Sequence, residues 1–286
     1  MTEKKVRKHN LTDKHPVISA ILFGILGFIV MQALVVAINS IIGGLIEGYP
    51  NVTGPVGTII ATVLLLLFFK WWFKPEYLGS IKGSDYESVW LFVGTYAVFL
   101  LVTFIIDRLF SGTKAAIPVL SNALISLLAG MTEEASFRGF MVPVLMRKHS
   151  KKSLMMPILV PAIVFALVHG LNGLVGAGVL VTILQVINCV FFGAALTIIY
   201  LISGNIIIPI VVHVVHDLLA FSYEGAAETE GIMTGGITAD MIGDTVAALV
   251  MFVVVMYFIT RPKNTEKVLD IWKRKWITEG GKEIYE

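Results

Sequence analysis

Eight apolar stretches divide this sequence, at roughly 17 to 46, 56 to 73, 89 to 106, 118 to 142, 155 to 171, 174 to 203, 206 to 222 and 242 to 260. Each is close to the about 20 residues that cross a hydrocarbon core. A single stretch in lipid satisfies its own backbone hydrogen bonds only as a helix. The expected fold is therefore all-α: a polytopic membrane protein with about eight transmembrane helices. Of the 286 residues 56% are apolar and 15% charged, which leaves little for a soluble domain. Residues 1–16 form a basic N-terminal segment, 17–260 a single transmembrane helical domain and 261–286 a basic tail whose Trp272 and Trp276 beside Lys273, Arg274 and Lys275 suit an interfacial helix.

The first stretch is longer than a signal-peptide apolar region and no small-residue cleavage site follows it before Glu47, so it reads as a retained anchor. Lys and Arg crowd four segments that share one side of an eight-span arrangement. Lys4, Lys5, Arg7, Lys8 and Lys14 precede the first span, Lys70, Lys74 and Lys82 follow the second, Arg147, Lys148, Lys151 and Lys152 follow the fourth, and Arg261 to Lys282 follow the eighth. The opposite loops hold only Arg108 and Lys114 among basic residues, and Glu224, Glu228, Glu230 and Asp240 follow the seventh span. The positive-inside rule then puts both termini in the cytoplasm. Such juxtamembrane cations meet lipid headgroups rather than nucleic acid. Cys189 is the only cysteine, which rules out intrachain disulfides and a cysteine-based zinc site and leaves it as a small buried hydrophobe.

Inside these apolar stretches stand Glu133, Glu134, Arg138, His169, His213, His216 and Asp217. A charged side chain at the bilayer centre costs roughly 2.5 to 3.5 kcal/mol on insertion scales, so such groups face one another or water. Glu134 and Arg138 are four apart and share a helix face, whereas Glu133 points about 100° away. Glu133 thus lacks a partner on its own helix and is the candidate general base. His213 and Asp217 are also four apart, so the carboxylate can orient that imidazole or both can address one ligand. His216 either joins that face or turns toward headgroups. At about 1.5 Å per residue, Glu133 lies roughly 15 Å above Pro143, Asp217 roughly 18 Å above Asn205 and His169 roughly 25 Å above Lys152. All three depths fall inside a core about 30 Å thick. Pro143 is expected to bend or end the fourth helix, Pro157 and Pro161 to loosen the first turns of the fifth, and Gly170, Gly173, Gly176 and Gly178 to allow a tight return into the sixth.

The sequence has no His-Glu-x-x-His helix, no Gly-x-Ser-x-Gly elbow and no phosphate-binding Gly-x-x-x-x-Gly-Lys. Carboxylate and imidazole chemistry remains, which suits activation of water against an amide. The same buried groups also serve proton relays. A proton-coupled carrier, or a regulator or immunity factor that binds a peptide without cutting it, is the alternative. The absence of an evident inverted repeat speaks mildly against a carrier.

Glu133-Glu134-x-x-x-Arg138, Phe165-x-x-x-His169 and His213-x-x-x-Asp217, in that order on three apolar stretches, resemble the three motifs of the CAAX protease and bacteriocin-processing family, also called the Abi family. The resemblance covers residues 133 to 217, within a family-like core at about 118–222. It implies a helical intramembrane endopeptidase of the cell membrane. The residues matching Glu133 and His169 activate water, those matching His213 and Asp217 hold the oxyanion, and Glu134, Arg138, Phe165 and His216 support the site. Asp217 stands where asparagine is common in the family. An ionised aspartate cannot donate to an oxyanion, so Asp217 must be protonated, orient His213 or ligate a metal. Family members are commonly labelled metalloproteases, which makes Glu133, His169, His213 and Asp217 the candidate ligands of a divalent metal such as zinc. A glutamate-dependent mechanism without catalytic zinc is also argued for them, and the expectation here is weak metal dependence. The compact chain reads as a bacterial plasma-membrane protein, so a peptide or membrane-protein substrate is expected rather than a prenylated one, in maturation of a signalling peptide or bacteriocin, or in immunity to one.

Overall fold

The computed structural model describes residues 14–45, 120–149, 153–222 and 239–275, with scattered positions between 56 and 118 and residue 237. Much of the expected second and third spans, most of the loops after the second and seventh spans and both chain ends lie outside the described residues. Among the described residues the regular structure is entirely helical. The elements are α1 (Pro16–Leu45), α2 (Leu120–Glu133), a π-helical segment (Glu134–Phe140), α3 (Met141–His149), α4 (Met155–His169), a 3-10 turn (Gly170–Val175), α5 (Val179–Ser203), α6 (Ile207–Ala220), α7 (Ala239–Ile259) and α8 (Pro262–Lys275).

Among the described residues four runs are long and apolar enough to cross a membrane: Pro16–Ile42, Met155–Val175, Val179–Ser203 and Met241–Ile259. Their outer faces carry Leu22, Leu26, Ile29, Leu167, Leu180, Ile183 and Val253 in the open, an arrangement that water disfavours and acyl chains accept. The expected seventh span is a helix of 14 residues, shorter than 206 to 222. It begins abruptly because Gly204, at φ 61°, ends α5 and the Asn205 side-chain oxygen then accepts the Ile207 N–H at 3.0 Å.

The fourth stretch departs from expectation in its winding. It runs helical from Leu120 to His149, and Pro143 neither ends nor interrupts α3. A proline ring crowds the carbonyl four residues before it and supplies no N–H. That carbonyl belongs to Gly139, inside the π-helical segment, where the wider turn absorbs the conflict. Pro161 likewise sits within an unbroken α4. The glycine-rich return behaves as expected: Gly176 adopts φ 112°, Ala177 N–H bonds Asn172 O at 3.0 Å, and Asn172 Nδ2 bonds Gln185 Oε1 at 3.0 Å.

The π-helical segment is the centre of the packing. Ala135, Phe137, Met141, Leu145, Ile158, Ala162 and Phe165 are all at most 1% exposed around it. From one side α1 approaches closely: a Cβ on Gly24 would lie 2.5 Å from Met141 Sδ and one on Gly27 2.9 Å from the Phe140 ring. From another side α6 meets α2 at Gly130, where a Cβ would lie 2.7 Å from Val214. Small residues at helix crossings let backbones approach and supply the dispersion contacts that hold helices together in lipid. The tail helix α8 docks on the end of α5 through Trp272, 1% exposed, whose indole N–H donates to Leu201 O at 2.9 Å. It is thus packed into the bundle on one face as well as amphipathic.

Candidate active site

Arg138 is the strut of the site. Fully buried, its guanidinium donates from Nη1 to Glu134 Oε1 at 2.8 Å and from Nη2 to Gly193 O at 3.0 Å, and its plane lies 4.4 Å from the Phe165 ring centroid. A planar fork suits this double duty, joining the π segment to α5. Gly193 makes room for it, since a Cβ there would stand 2.9 Å from Nη2 and 3.1 Å from Phe165. Thr197 Oγ1 donates to the same Gly193 carbonyl at 2.8 Å.

Glu134, 0% exposed, is more than the counterion of Arg138 that its spacing predicts. Its Oε1 also accepts from His213 Nδ1 at 2.8 Å, across from α6. That contact determines the other ring nitrogen: with Nδ1–H given to Glu134, Nε2 is turned inward. His213 Nε2 lies 3.7 Å from Glu133 Oε2 and 3.7 Å from Asp217 Oδ2. Of the three tasks open to Asp217, orienting His213 therefore falls to Glu134 instead. Glu134 Oε2 has no hydrogen-bond partner among the described residues.

His169 is set in the same way. Its Nδ1–H donates to Phe165 O at 3.0 Å, one turn back along α4, and its ring meets the Phe165 ring edge-on at 4.5 Å. Its Nε2 then faces Glu133 Oε2 at 4.0 Å. One carboxylate oxygen, Glu133 Oε2, thus lies within 4.0 Å of two imidazole nitrogens. Separations of 3.7 and 4.0 Å exceed a direct hydrogen bond but leave room for an atom about 2.8 Å from each, the distance a water oxygen takes. Glu133 is 15% and Asp217 22% exposed, against 0% for Glu134, so the free carboxylates lie on the open side of the cluster.

The structure brings Glu133, Glu134, Arg138, Phe165, His169, His213 and Asp217 into this one cluster. His216 turns inward too, though away from Glu133: its ring stacks on Phe192 at 4.4 Å and its Nδ1 lies 3.2 Å from the Tyr96 hydroxyl. Sequence reasoning missed Gly193, Thr197, Phe192 and Tyr96. The small run Gly193-Ala194-Ala195 signals a close helix contact, but no spacing rule says that a guanidinium fills it. The fit to a metal is poor: among the described residues no three His, Cys, Asp or Glu side chains are disposed to hold one. His169 and His213 spend Nδ1 on protein acceptors, which leaves Nε2 as the nitrogen each could offer a metal.

A polar cluster of carboxylates, imidazoles and one guanidinium, enclosed by apolar helices, defines the class: a helical membrane protein with a buried polar site. Residues 115–219, which contain all three motifs, match the model of the type II CAAX prenyl endopeptidase Rce1-like family. The resemblance carried by the motifs is thereby borne out, and it points to a CAAX-type endopeptidase. Comparison with curated proteins and with solved structures gave no match.

Proposed function

We propose that this protein is an intramembrane endopeptidase that hydrolyses a peptide bond in a peptide or membrane-protein substrate through water activated by Glu133. The observation that carries this reading is the position of Glu133 Oε2 within 4.0 Å of two inward imidazole nitrogens. A water at that point donates one proton to Glu133 and is held by the His169 Nε2 lone pair. Its oxygen adds to the carbonyl carbon and the C=O π pair moves onto oxygen. His213, protonated on both nitrogens, would give Nδ1–H to Glu134 and turn Nε2–H to that oxyanion, with a protonated Asp217 as second donor. Collapse breaks the C–N bond, and the leaving amine takes the proton that Glu133 received. Arg138 neutralises Glu134 throughout and holds it under His213. The charge pattern supports eight spans with cytoplasmic termini, which would open the site within the cell membrane.

Mass spectrometry of membrane and secreted peptides from cells making the parent chain or Glu133→Ala identifies the cut substrate. Purified Glu133→Gln and His169→Ala are each expected to cleave that peptide about 10²- to 10⁴-fold more slowly with an unchanged unfolding midpoint. Full-rate cleavage by either variant would refute the mechanism. Proton-driven solute uptake in sealed vesicles, with no peptide cleaved by the parent chain, would favour a proton-coupled carrier instead.

A further inference from the structure

Tyr96 lies in the third apolar stretch, outside the family-matched segment, and is only 5% exposed. Its hydroxyl is 3.2 Å from Nδ1 of His216. A buried phenol needs such a partner, and the pair joins a helical stretch far upstream to α6. His216 stands three residues after His213, and the two imidazoles grip the same ring from α5. Phe192 stacks on His216 with centroids 4.4 Å apart and planes 28° apart, and meets His213 edge-on at 5.1 Å and 87°. On its other side His213 meets Phe165 at 6.0 Å and 85°.

These contacts bear on the reactive geometry directly. His213 must keep its ring in the plane that carries Nδ1 to Glu134 and Nε2 to Glu133 at once. Glu134 selects the nitrogen, but one hydrogen bond leaves the plane free to rock. Phe192 and Phe165 limit that rocking, and Phe192 is itself flanked by the stacked His216 ring and, at 6.1 Å, by the Tyr96 ring.

We propose that Tyr96 and His216 form a positioning pair, in which the Tyr96 hydroxyl fixes His216, His216 fixes Phe192, and Phe192 fixes the plane of His213. The third apolar stretch thereby contributes to the site without touching substrate. The kinetic part of this inference rests on the proposed peptidase activity.

The test uses full-length Tyr96→Phe, His216→Phe, their double variant and His216→Ala in lipid nanodiscs. Cleavage is followed with a fluorogenic peptide spanning the cut site mapped in cells, and the imidazole ¹⁵N signals of His213 are assigned through their loss in His213→Gln. Phenylalanine at either position removes the hydrogen bond and keeps a ring against Phe192. Each single variant should therefore lower kcat about three- to tenfold, the scale of one hydrogen bond, with KM unchanged. The double variant should be no slower than either single one, and His216→Ala, which also loses the stack, should be slower than His216→Phe. Tyr96→Phe should shift or broaden the His213 signals. Multiplying losses in the double variant, a change in KM alone, or His213 signals that ignore Tyr96→Phe would each overturn the pair. If the parent cleaves no peptide, the peptidase reading falls while the His213 signals still decide whether the pair positions that ring.

Discussion

The buried pair Glu134–Arg138 has two separable duties, and a double-mutant cycle can pull them apart. Both side chains are 0% exposed and their nearest atoms are 2.8 Å apart. With charge centres about 4 Å apart and an effective dielectric of about 20, their attraction is about 4 kcal/mol. Removing one partner strands the other charge, and such losses are about 3 to 5 kcal/mol. Arg138→Met and Glu134→Leu should each destabilise the folded chain by that amount. In the double variant no charge is stranded, and what is lost is the acceptor for His213 Nδ1, worth about 1 to 3 kcal/mol, and the Arg138 bond to a Gly193 carbonyl that Thr197 still satisfies, worth about 1 kcal/mol. The double variant should thus be more stable than either single one. Its activity should not follow, because His213 no longer has the carboxylate that turns Nε2 inward; cleavage should stay about 10²- to 10⁴-fold down. Unfolding in detergent and peptide cleavage are measured on the same preparations. Additive destabilisation in the double variant, near 8 kcal/mol, roughly twice one stranded charge, would refute the pairing argument. Recovery of cleavage together with stability would show that Glu134 is only a counterion.

Two further substitutions probe the cluster from other sides. Gly193→Ala puts a methyl 2.9 Å from Arg138 Nη2 and 3.3 Å from the Ala162 backbone, so it should destabilise by about 1 to 3 kcal/mol, read as a lower unfolding midpoint. Cleavage should fall with it as the strut is pushed off the Gly193 carbonyl. Asp217→Leu should slow cleavage about 10²-fold by removing an oxyanion donor, whereas Asp217→Asn, whose amide donates without first taking up a proton, should stay within about tenfold of the parent. Equal losses in the two variants would remove Asp217 from the oxyanion site.

The site was more legible in the sequence than the bundle around it. Ionisable groups are so costly in lipid that Glu133, Glu134, Arg138, His169, His213 and Asp217 announce themselves against an apolar background, and four-residue spacing correctly pairs Glu134 with Arg138. What spacing within one helix cannot convey is the contact across helices. Glu134 serves His213 79 residues away, and Arg138 reaches Gly193 55 residues away. Spacing accordingly offers Asp217 as one group able to orient His213, although the closer carboxylate comes from another helix. The π winding was equally hidden, since the 3.6-residue period assumed for every apolar stretch has no place for it. Tyr96 reads in sequence as one more aromatic residue in a greasy run, and only its depth beside His216 distinguishes it.

A helix wound with five residues between bonded partners holds one residue more than an α-helix of the same span. In this chain the surplus falls between Glu133 and Pro143, where the motif residues are. Deleting Ala135 would let the ladder close at the ordinary pitch with the helices on either side nearly in their present register, so the change would fall on the motif itself. Glu134 and Arg138 would then be three apart, and the widened turn that sets Glu133 toward His213, Glu134 under it and Arg138 on the Gly193 carbonyl would be gone. In this window chain length should be held as strictly as the buried motif side chains themselves.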